Sequence, residues 1–350
     1  MFTPPTVDQI PTPQQLIAVM DETVAGLDKV KQQLAVTLWR FMVSAALGRS
    51  WRPANLLVIG GSGTGKTYAL RKLMEACPVI WTEATATEYS DVGFTGRNLT
   101  SMYHPLTGPQ WRGSGGEKHS MATAIGHAQQ HGVVLLDEFD KLRVPKGTLP
   151  GDRAGSKYLA LQAELLKLVE GSEIQVALGD SQGFGFRTHG VLHIAIGAFS
   201  GLEDIIKAKD GLSAHVADLT LKAGIWDIVQ YGFTEELVGR FASIVPLPSL
   251  KPEALVRIIN EQIIGEYASE LQDLGLTLQI DDGAISWVAS FCSTAGDNPM
   301  PIGARAIRPL LDAILWPALV TAMPGDRIVI GVHEAQLQHA TVVRPTMVSV

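Results

Sequence analysis

Eight consecutive residues near the start of the chain restrict its possible folds more than any other feature. They match the pattern G-x-x-x-x-G-K-[ST], follow the apolar run at residues 56–59 and lead into residues 68–76, which have helical periodicity. The eight are Gly60, Gly61, Ser62, Gly63, Thr64, Gly65, Lys66 and Thr67. A strand, a glycine-rich turn and a helix in this order aim several backbone N–H groups into one concavity that suits phosphate. The segment predicts a nucleoside triphosphate site, because a purely structural turn needs no adjacent lysine and threonine.

Two side chains at the end of this loop supply the polar groups that a bound triphosphate requires. Lys66 is placed to reach the outer phosphates, and Thr67 supplies a hydroxyl oxygen. Mg²⁺ is a hard ion that prefers oxygen ligands and arrives already bound to phosphate. We therefore expect ATP and Mg²⁺ as the cofactors.

Four apolar runs indicate a buried sheet. They lie at residues 56–59, 79–81, 133–136 and 191–196. Continuous apolar strands indicate a sheet that is covered on both faces. Helical periodicity before and between them, at residues 14–20, 27–47 and 159–170, predicts an α/β fold with a mostly parallel sheet and nucleotide at the carboxyl ends of its strands.

A change in composition marks a boundary between two domains. Three prolines interrupt regular structure within residues 245–252. We predict a large domain at residues 1–246, with an irregular segment at 1–13, and a smaller, mainly helical domain at residues 251–345. In the smaller domain the patterns predict helices at 253–274, 281–291 and 304–319, and a strand at 327–332.

Composition argues against several classes of protein. The net charge of −7 provides no electrostatic footprint for duplex DNA, so a nucleic-acid partner is not expected. No signal-peptide pattern and no run of membrane-spanning length occur, which predicts a cytoplasmic protein. Cys77 and Cys292 are predicted to be buried thiols, and His127 and His131 to be solvated helix residues, since no acidic third metal ligand lies near them.

Two carboxylates follow the apolar run at residues 133–136. Asp137 is predicted to hold Mg²⁺ through its water shell, and Glu138 to orient and polarise the water that attacks the γ-phosphate. The alternative is an ordinary strand end with solvated acids. The preceding phosphate loop favours the catalytic interpretation.

Several motifs in the same order resemble one family. Residues 137–142 (DEFDKL) resemble the D-E-I-D-K element of the ClpX branch of AAA+ protein unfoldases. Residues 165–171, 197–202 and 303–305 resemble further elements of that branch, and the similarity spans residues 12–330. The resemblance implies an AAA+ large domain with a small helical domain, ATP hydrolysis, a homo-oligomeric ring that is a hexamer, and protein substrates.

The resemblance assigns roles to residues outside the phosphate loop. Residues 232–241 are similar to a family segment whose arginine reaches the γ-phosphate of the neighbouring subunit, which makes Arg240 the candidate arginine finger. Arg305 matches the family's sensor arginine, and Val24 and Ala25 match its adenine-contacting segment. A structural ion pair is the alternative for Arg240, and a surface ion pair is the alternative for Arg305.

A loop between the phosphate loop and the acidic strand resembles the family's pore loop. It consists of Gly93, Phe94, Thr95 and Gly96. The resemblance implies that the aromatic ring of Phe94 projects into the channel of the ring and grips a polypeptide. The alternative is a turn whose phenylalanine is buried in the core.

The chain departs from the family at two places. The N-terminal zinc-binding module has no counterpart, so adaptor recognition by that module is not expected. Residues 202–232 lack the loop that docks onto the ClpP peptidase, so we do not expect a ClpP partnership. The hypothesis is an ATP-driven remodeller that threads polypeptide without its own peptidase. The alternatives are a nucleotide-dependent assembly switch, a nucleic-acid-associated ATPase that never threads its partner, or a nucleotide-binding structural protein.

Overall fold

The computed structural model describes residues 3–23, 28–49, 52–61, 63–90, 98–111, 121–145, 147–148, 152–178, 182–210, 222–247, 250–293 and 303–344. The chain divides into two compact units, one formed mainly by residues 1–248 and the other mainly by residues 249–350.

The first unit is built on a parallel sheet. The strands among the described residues of this unit are, in chain order, β1 (Leu56–Ile59), β2 (Ile80–Thr85), β3 (Gly132–Asp137), β4 (Glu173–Leu178), β5 (Gln182–Arg187), β6 (Leu192–Gly197) and β7 (Ser243–Pro246). Five of them form one sheet in the order β2-β3-β6-β1-β7, with every neighbouring pair parallel. The carboxyl ends of these strands therefore share one edge, which is where the sequence places the nucleotide.

Alternation along the strands explains why both faces of this sheet are buried. Leu57 and Val134 pack into the core on one face, whereas Val58 and Leu135 pack into the core on the other. Helices cover these cores. They are α1 (Pro13–Thr23), α2 (Asp28–Ala46), α3 (Lys66–Glu75), α4 (Thr87–Ser90), α5 (His104–Trp111), α6 (Met121–His131), α7 (Arg153–Glu170), α8 (Leu202–Asp210), α9 (Ile225–Tyr231) and α10 (Glu235–Val238). The predicted α/β class is confirmed.

Four strands of the first unit differ from the sequence expectation. Strand β2 continues to Thr85, since its later residues alternate between buried and partly exposed positions at a sheet edge. Strand β7 was not predicted, because the prolines of residues 245–252 indicate a break in regular structure. Its Pro246 is tolerated because β7 lies at the opposite edge of the sheet and Pro246 is its last residue. Strands β4 and β5 pair as an antiparallel hairpin, and the glycines at 183 and 185 conceal this strand pattern.

The second unit contains helices and a small mixed sheet. Its elements are α11 (Pro252–Ile258), α12 (Ile264–Asp273), β8 (Thr277–Ile280), α13 (Asp282–Cys292), α14 (Ile307–Leu319), β9 (Arg327–Ile330), α15 (Val332–Leu337) and β10 (Thr341–Val343). A π-helical turn at Ile259–Ile263 interrupts the single helix expected at 253–274. Strand β9 ends at Ile330 and pairs with two strands that the sequence did not predict, in the order β10-β9-β8.

The burial of the two cysteines and of one histidine can be compared with the sequence predictions. Cys77 and Cys292 are both buried, as expected, and desolvation raises the pKa of their thiols to about 12 and about 11. The expectation of a solvated His131 is wrong, because its side chain is buried and desolvation lowers its pKa to about 4. None of the helices in the described part of the chain combines the length and apolar character that a membrane crossing demands.

Candidate active site

The phosphate loop begins at the carboxyl end of β1. Gly60 must lack a side chain, because an added Cβ would collide with the backbone oxygen of Leu247. Gly63 and Gly65 have φ angles of 76° and 75°, in the left-handed region where glycine carries no steric cost. Three of the glycines in the motif are therefore fixed by the backbone path itself.

Lys66 is folded onto this loop. Its Nζ donates hydrogen bonds to the backbone oxygens of Gly60 at 2.6 Å and Gly61 at 2.7 Å. The residue is buried and is the first of helix α3. The ammonium group is consequently held beside the backbone that curls around the predicted phosphate position, as a phosphate-binding lysine requires.

Thr67 and Asp137 meet at the edge of the sheet. The Thr67 hydroxyl donates to Asp137 Oδ2 at 2.7 Å, and the backbone N–H of Glu138 donates to Asp137 Oδ1 at 2.7 Å. The hydroxyl and carboxylate oxygens brought together here are the donors that Mg²⁺ prefers. The residues present therefore fit a magnesium ion bound to a triphosphate.

Glu138 has a strained backbone and a specific side-chain partner. Its φ of 55° places a residue with a Cβ in the left-handed region, a conformation that recurs at functional sites. The Thr87 hydroxyl donates to Glu138 Oε2 at 2.9 Å. Thr87 begins helix α4 directly after β2, and Thr85 of β2 is in register with Asp137 of β3.

Thr87 is a functional candidate that the sequence analysis missed. The apolar run at residues 79–81 predicts a strand that ends at residue 81, which leaves Thr87 without a place beside strand β3. A polar residue at the carboxyl end of the strand next to β3 is the signal that could have identified it.

Arg240 lies just after helix α10 and forms an ion pair with Glu170, the last residue of helix α7. Its side chain remains 44% exposed. The ion pair matches the structural interpretation of Arg240, and the exposed part of its side chain is compatible with the role of an arginine finger. Arg305 belongs to the second unit, where it is exposed in a 3-10 turn at Gly303–Ala306.

Several predicted site residues lie outside the described residues. They are Val24, Ala25, Ser62, Gly93, Phe94, Thr95 and Gly96. Among the residues that are described, no group of three or more His, Cys, Asp or Glu side chains could hold a metal ion by itself. The predicted magnesium site does not conflict with this finding, because its ligands include a hydroxyl and phosphate oxygens.

Known proteins are similar to this chain over most of its length. A family model described as "AAA domain (Cdc48 subfamily)" matches residues 52–244. The ATP-dependent Clp protease ATP-binding subunit ClpX 2 of Wolinella succinogenes is 27% identical, with coverage of 89% of this chain and 77% of that protein. The corresponding ClpX subunit of Azotobacter vinelandii is 28% identical, with coverage of 88% and 73%. That of Bacteroides thetaiotaomicron is 24% identical, with coverage of 96% and 84%. The expected resemblance to the ClpX branch is confirmed.

Proposed function

Since the chain belongs to the AAA domain family (Cdc48 subfamily) and is an ATPase, we propose that it is the subunit of a ring that uses ATP hydrolysis to remodel proteins. One observation carries the hydrolytic part of this proposal. The Thr67 hydroxyl, the Asp137 carboxylate and the adjoining Glu138 converge at the carboxyl edge of the parallel sheet. If Asp137 were only a solvated acid at the end of a strand, it would need no hydrogen bond from the last residue of the phosphate loop. The Thr67 hydroxyl nevertheless lies 2.7 Å from Asp137 Oδ2.

The loop backbone and Lys66 would bind the phosphates of ATP, while Thr67 and Asp137 would hold Mg²⁺. A bound magnesium ion neutralises charge that develops on the phosphate oxygens during transfer. Lys66 lies against the loop backbone, where its Nζ donates to the backbone oxygens of Gly60 and Gly61. A cation held beside the phosphates would stabilise the charge that develops on them.

Glu138 is assigned to the water that attacks the γ-phosphate. Its carboxylate would accept a proton from that water, and the Thr87 hydroxyl at 2.9 Å holds one of its oxygens in place. Arg240 is assigned to the phosphate bound by the neighbouring subunit. An arginine supplied to a phosphoryl group in trans can raise the rate by roughly 10³- to 10⁵-fold, so an isolated subunit would turn over slowly.

The protein-directed part of the proposal rests on the relatives and on one loop. Similar proteins are named as ATP-binding subunits of a Clp protease, which favours polypeptide as the substrate and a hexameric ring as the assembly. Phe94 is assigned to the channel, where an aromatic ring between glycines contacts varied side chains without sequence preference. We propose that the ring acts without ClpP, because the peptidase-docking loop has no counterpart at residues 202–232. The cytoplasm is its proposed compartment.

Phe94→Ala tests the threading proposal. The variant should hydrolyse ATP within about twofold of the unmodified rate. It should lose the stimulation of hydrolysis that an unfolded polypeptide such as casein produces, because loss of the apolar contact of one phenylalanine weakens polypeptide binding by roughly ten- to a hundredfold. Trp226→Ala is the matched control, because Trp226 is an exposed aromatic residue of helix α9. Casein stimulation that survives in Phe94→Ala would overturn threading and favour an assembly switch.

A further inference from the structure

Two segments of the first unit carry the two groups assigned to hydrolysis. Residues 138–144 begin with Glu138, and residues 231–241 contain Arg240. These two stretches, called the coupled segments below, are far apart in sequence and lie side by side in the structure. Glu138 is assigned to the ATP bound by its own subunit, whereas Arg240 is assigned to the ATP bound by the neighbouring subunit. A structural connection between Glu138 and Arg240 would therefore link the ATP sites of two subunits.

An aromatic contact joins the coupled segments next to both functional residues. The fully buried ring of Phe139 stacks on Phe233, with centroids 4.8 Å apart and an interplanar angle of 9°. It also meets Phe241 edge-on at 5.4 Å. Phe139 directly follows Glu138, and Phe241 directly follows Arg240. Such aromatic pairs contribute beyond simple burial and prefer defined geometries, so they fix one segment relative to the other.

Backbone and cationic contacts join the same segments further along. The Val144 N–H donates to the backbone oxygen of Gly232 at 2.9 Å, and the Arg143 guanidinium lies 4.5 Å from the ring centroid of Tyr231. Gly232 has a φ of 125°, and an added Cβ would lie 2.6 Å from the Val144 oxygen. Glycine is therefore required for this close approach.

The Gln162 side chain completes the connection from helix α7. Gln162 is fully buried, and its Nε2 donates to the backbone oxygens of Leu142 at 2.9 Å and Gly232 at 3.1 Å. Its Oε1 accepts from the Thr234 N–H at 2.8 Å. A buried amide is costly unless it is satisfied, and this amide is satisfied by backbone groups of both coupled segments. The side chain therefore acts as a rigid clamp between them.

We propose that Gln162 is a positioning residue for ATP hydrolysis, which holds the coupled segments as one body so that Glu138 and Arg240 are displaced together. A change at the ATP site of one subunit would then shift the arginine offered to its neighbour. The inference rests on the proposed function, because it takes Arg240 as a finger that acts in trans. Gln162 is not assigned to ATP or to the attacking water, and it acts through the two segments that it joins.

The test measures how well a subunit donates its arginine. Glu138→Gln subunits cannot hydrolyse their own ATP and keep Arg240, whereas Arg240→Ala subunits keep Glu138 and need a finger from a neighbour. Turnover of an equal mixture therefore reports donation by the first subunit. Gln162→Met is then added to the Glu138→Gln donor, because methionine retains the volume and removes all three hydrogen bonds. Gln129→Met in the same donor is the matched control, since Gln129 Oε1 also accepts from a backbone N–H, that of Arg187 at 2.6 Å.

The donor with Gln162→Met should lower the turnover of the mixture by about tenfold, because small misplacements of a catalytic group are costly in rate. ATP affinity of the donor should stay within about twofold, since the side-chain hydrogen bonds of Gln162 go to Leu142, Gly232 and Thr234 and to no described residue of the phosphate loop. The Gln129→Met donor should support at least half of the original turnover. Equal turnover with the two donors would overturn the role of Gln162.

A second variant guards against simple loss of folding. If thermal melting shows that the Gln162→Met donor is unfolded, Phe139→Leu replaces it, because leucine keeps the site apolar and removes the stacking on Phe233. This donor should lower mixed turnover at least threefold with ATP affinity unchanged, and unchanged turnover would overturn the proposal. The mixture without either change is measured first. If it shows no turnover above that of its separate components, Arg240 does not act in trans, and the proposed function fails before Gln162 is examined.

Discussion

The buried imidazole of His193 allows a quantitative prediction about stability. His193 lies on the central strand β6, its Nε2 is 2.8 Å from the Tyr103 hydroxyl, and its backbone N–H donates to Asn55 Oδ1 at 2.9 Å. Its Nδ1 is buried. Desolvation lowers the pKa of His193 to about 4, whereas a hydrogen bond involving Val191 opposes this shift. The folded chain therefore holds a neutral imidazole at neutral pH.

The sign and size of the effect follow from linkage. Below the ordinary histidine pKa of about 6.5 the unfolded chain takes up a proton that the folded chain excludes, so stability falls as the pH drops from about 6.5 toward 4. For a shift of this size, the free energy of unfolding should decrease by about 2 kcal/mol between pH 7 and pH 5 through His193 alone.

The assay is urea unfolding of the unmodified protein and of His193→Gln at pH 7 and pH 5. Glutamine offers Tyr103 an amide that does not titrate over this range. The unmodified protein should lose about 2 kcal/mol more than the variant between the two pH values. Comparison of differences removes any constant cost of the substitution. Equal losses in the two proteins would refute the assignment of a buried neutral imidazole.

Three further predictions concern the site and the thiols. Glu138→Gln should bind ATP normally and lose roughly 10²- to 10⁴-fold in phosphate release, because the amide cannot accept the proton of water; near-normal turnover would remove its catalytic role. Thr87→Val should lower kcat about tenfold at constant KM by removing the hydroxyl that holds Glu138, and a change confined to KM would contradict this. Cys77 and Cys292 should resist a disulfide reagent at pH 8 until urea is added, because burial raises both thiol pKa values; rapid reaction of either native thiol would argue against its burial.

The sequence predicts best where a local pattern is sufficient. Strand β1 has the predicted bounds, because its four apolar residues run directly into the phosphate loop. Asp137 and Glu138 could be proposed as site residues because they follow a continuous apolar run. Two faces of buried side chains require helices on both sides, and this requirement predicted the α/β class.

The sequence predicts poorly where tertiary pairing decides the structure. Thr87 becomes a partner of Glu138 only because β2 and β3 pair in a particular register. Glu170 meets Arg240, and Gln162 joins the coupled segments, across separations that no local pattern spans. The polar positions of β2 and the glycines of the β4–β5 hairpin hid strands whose stability comes from their neighbours.

Complementation between two inactive variants tests the shared hydrolytic site most directly. Glu138→Gln and Arg240→Ala should each show little ATP turnover alone. Mixed in equal amounts, they should recover about a quarter of the unmodified rate, because in a ring with head-to-tail interfaces about a quarter of the sites combine an intact Glu138 with an arginine from the neighbour. Turnover by Arg240→Ala alone at the unmodified rate, or a mixture no more active than its components, would contradict a site completed by the neighbouring subunit.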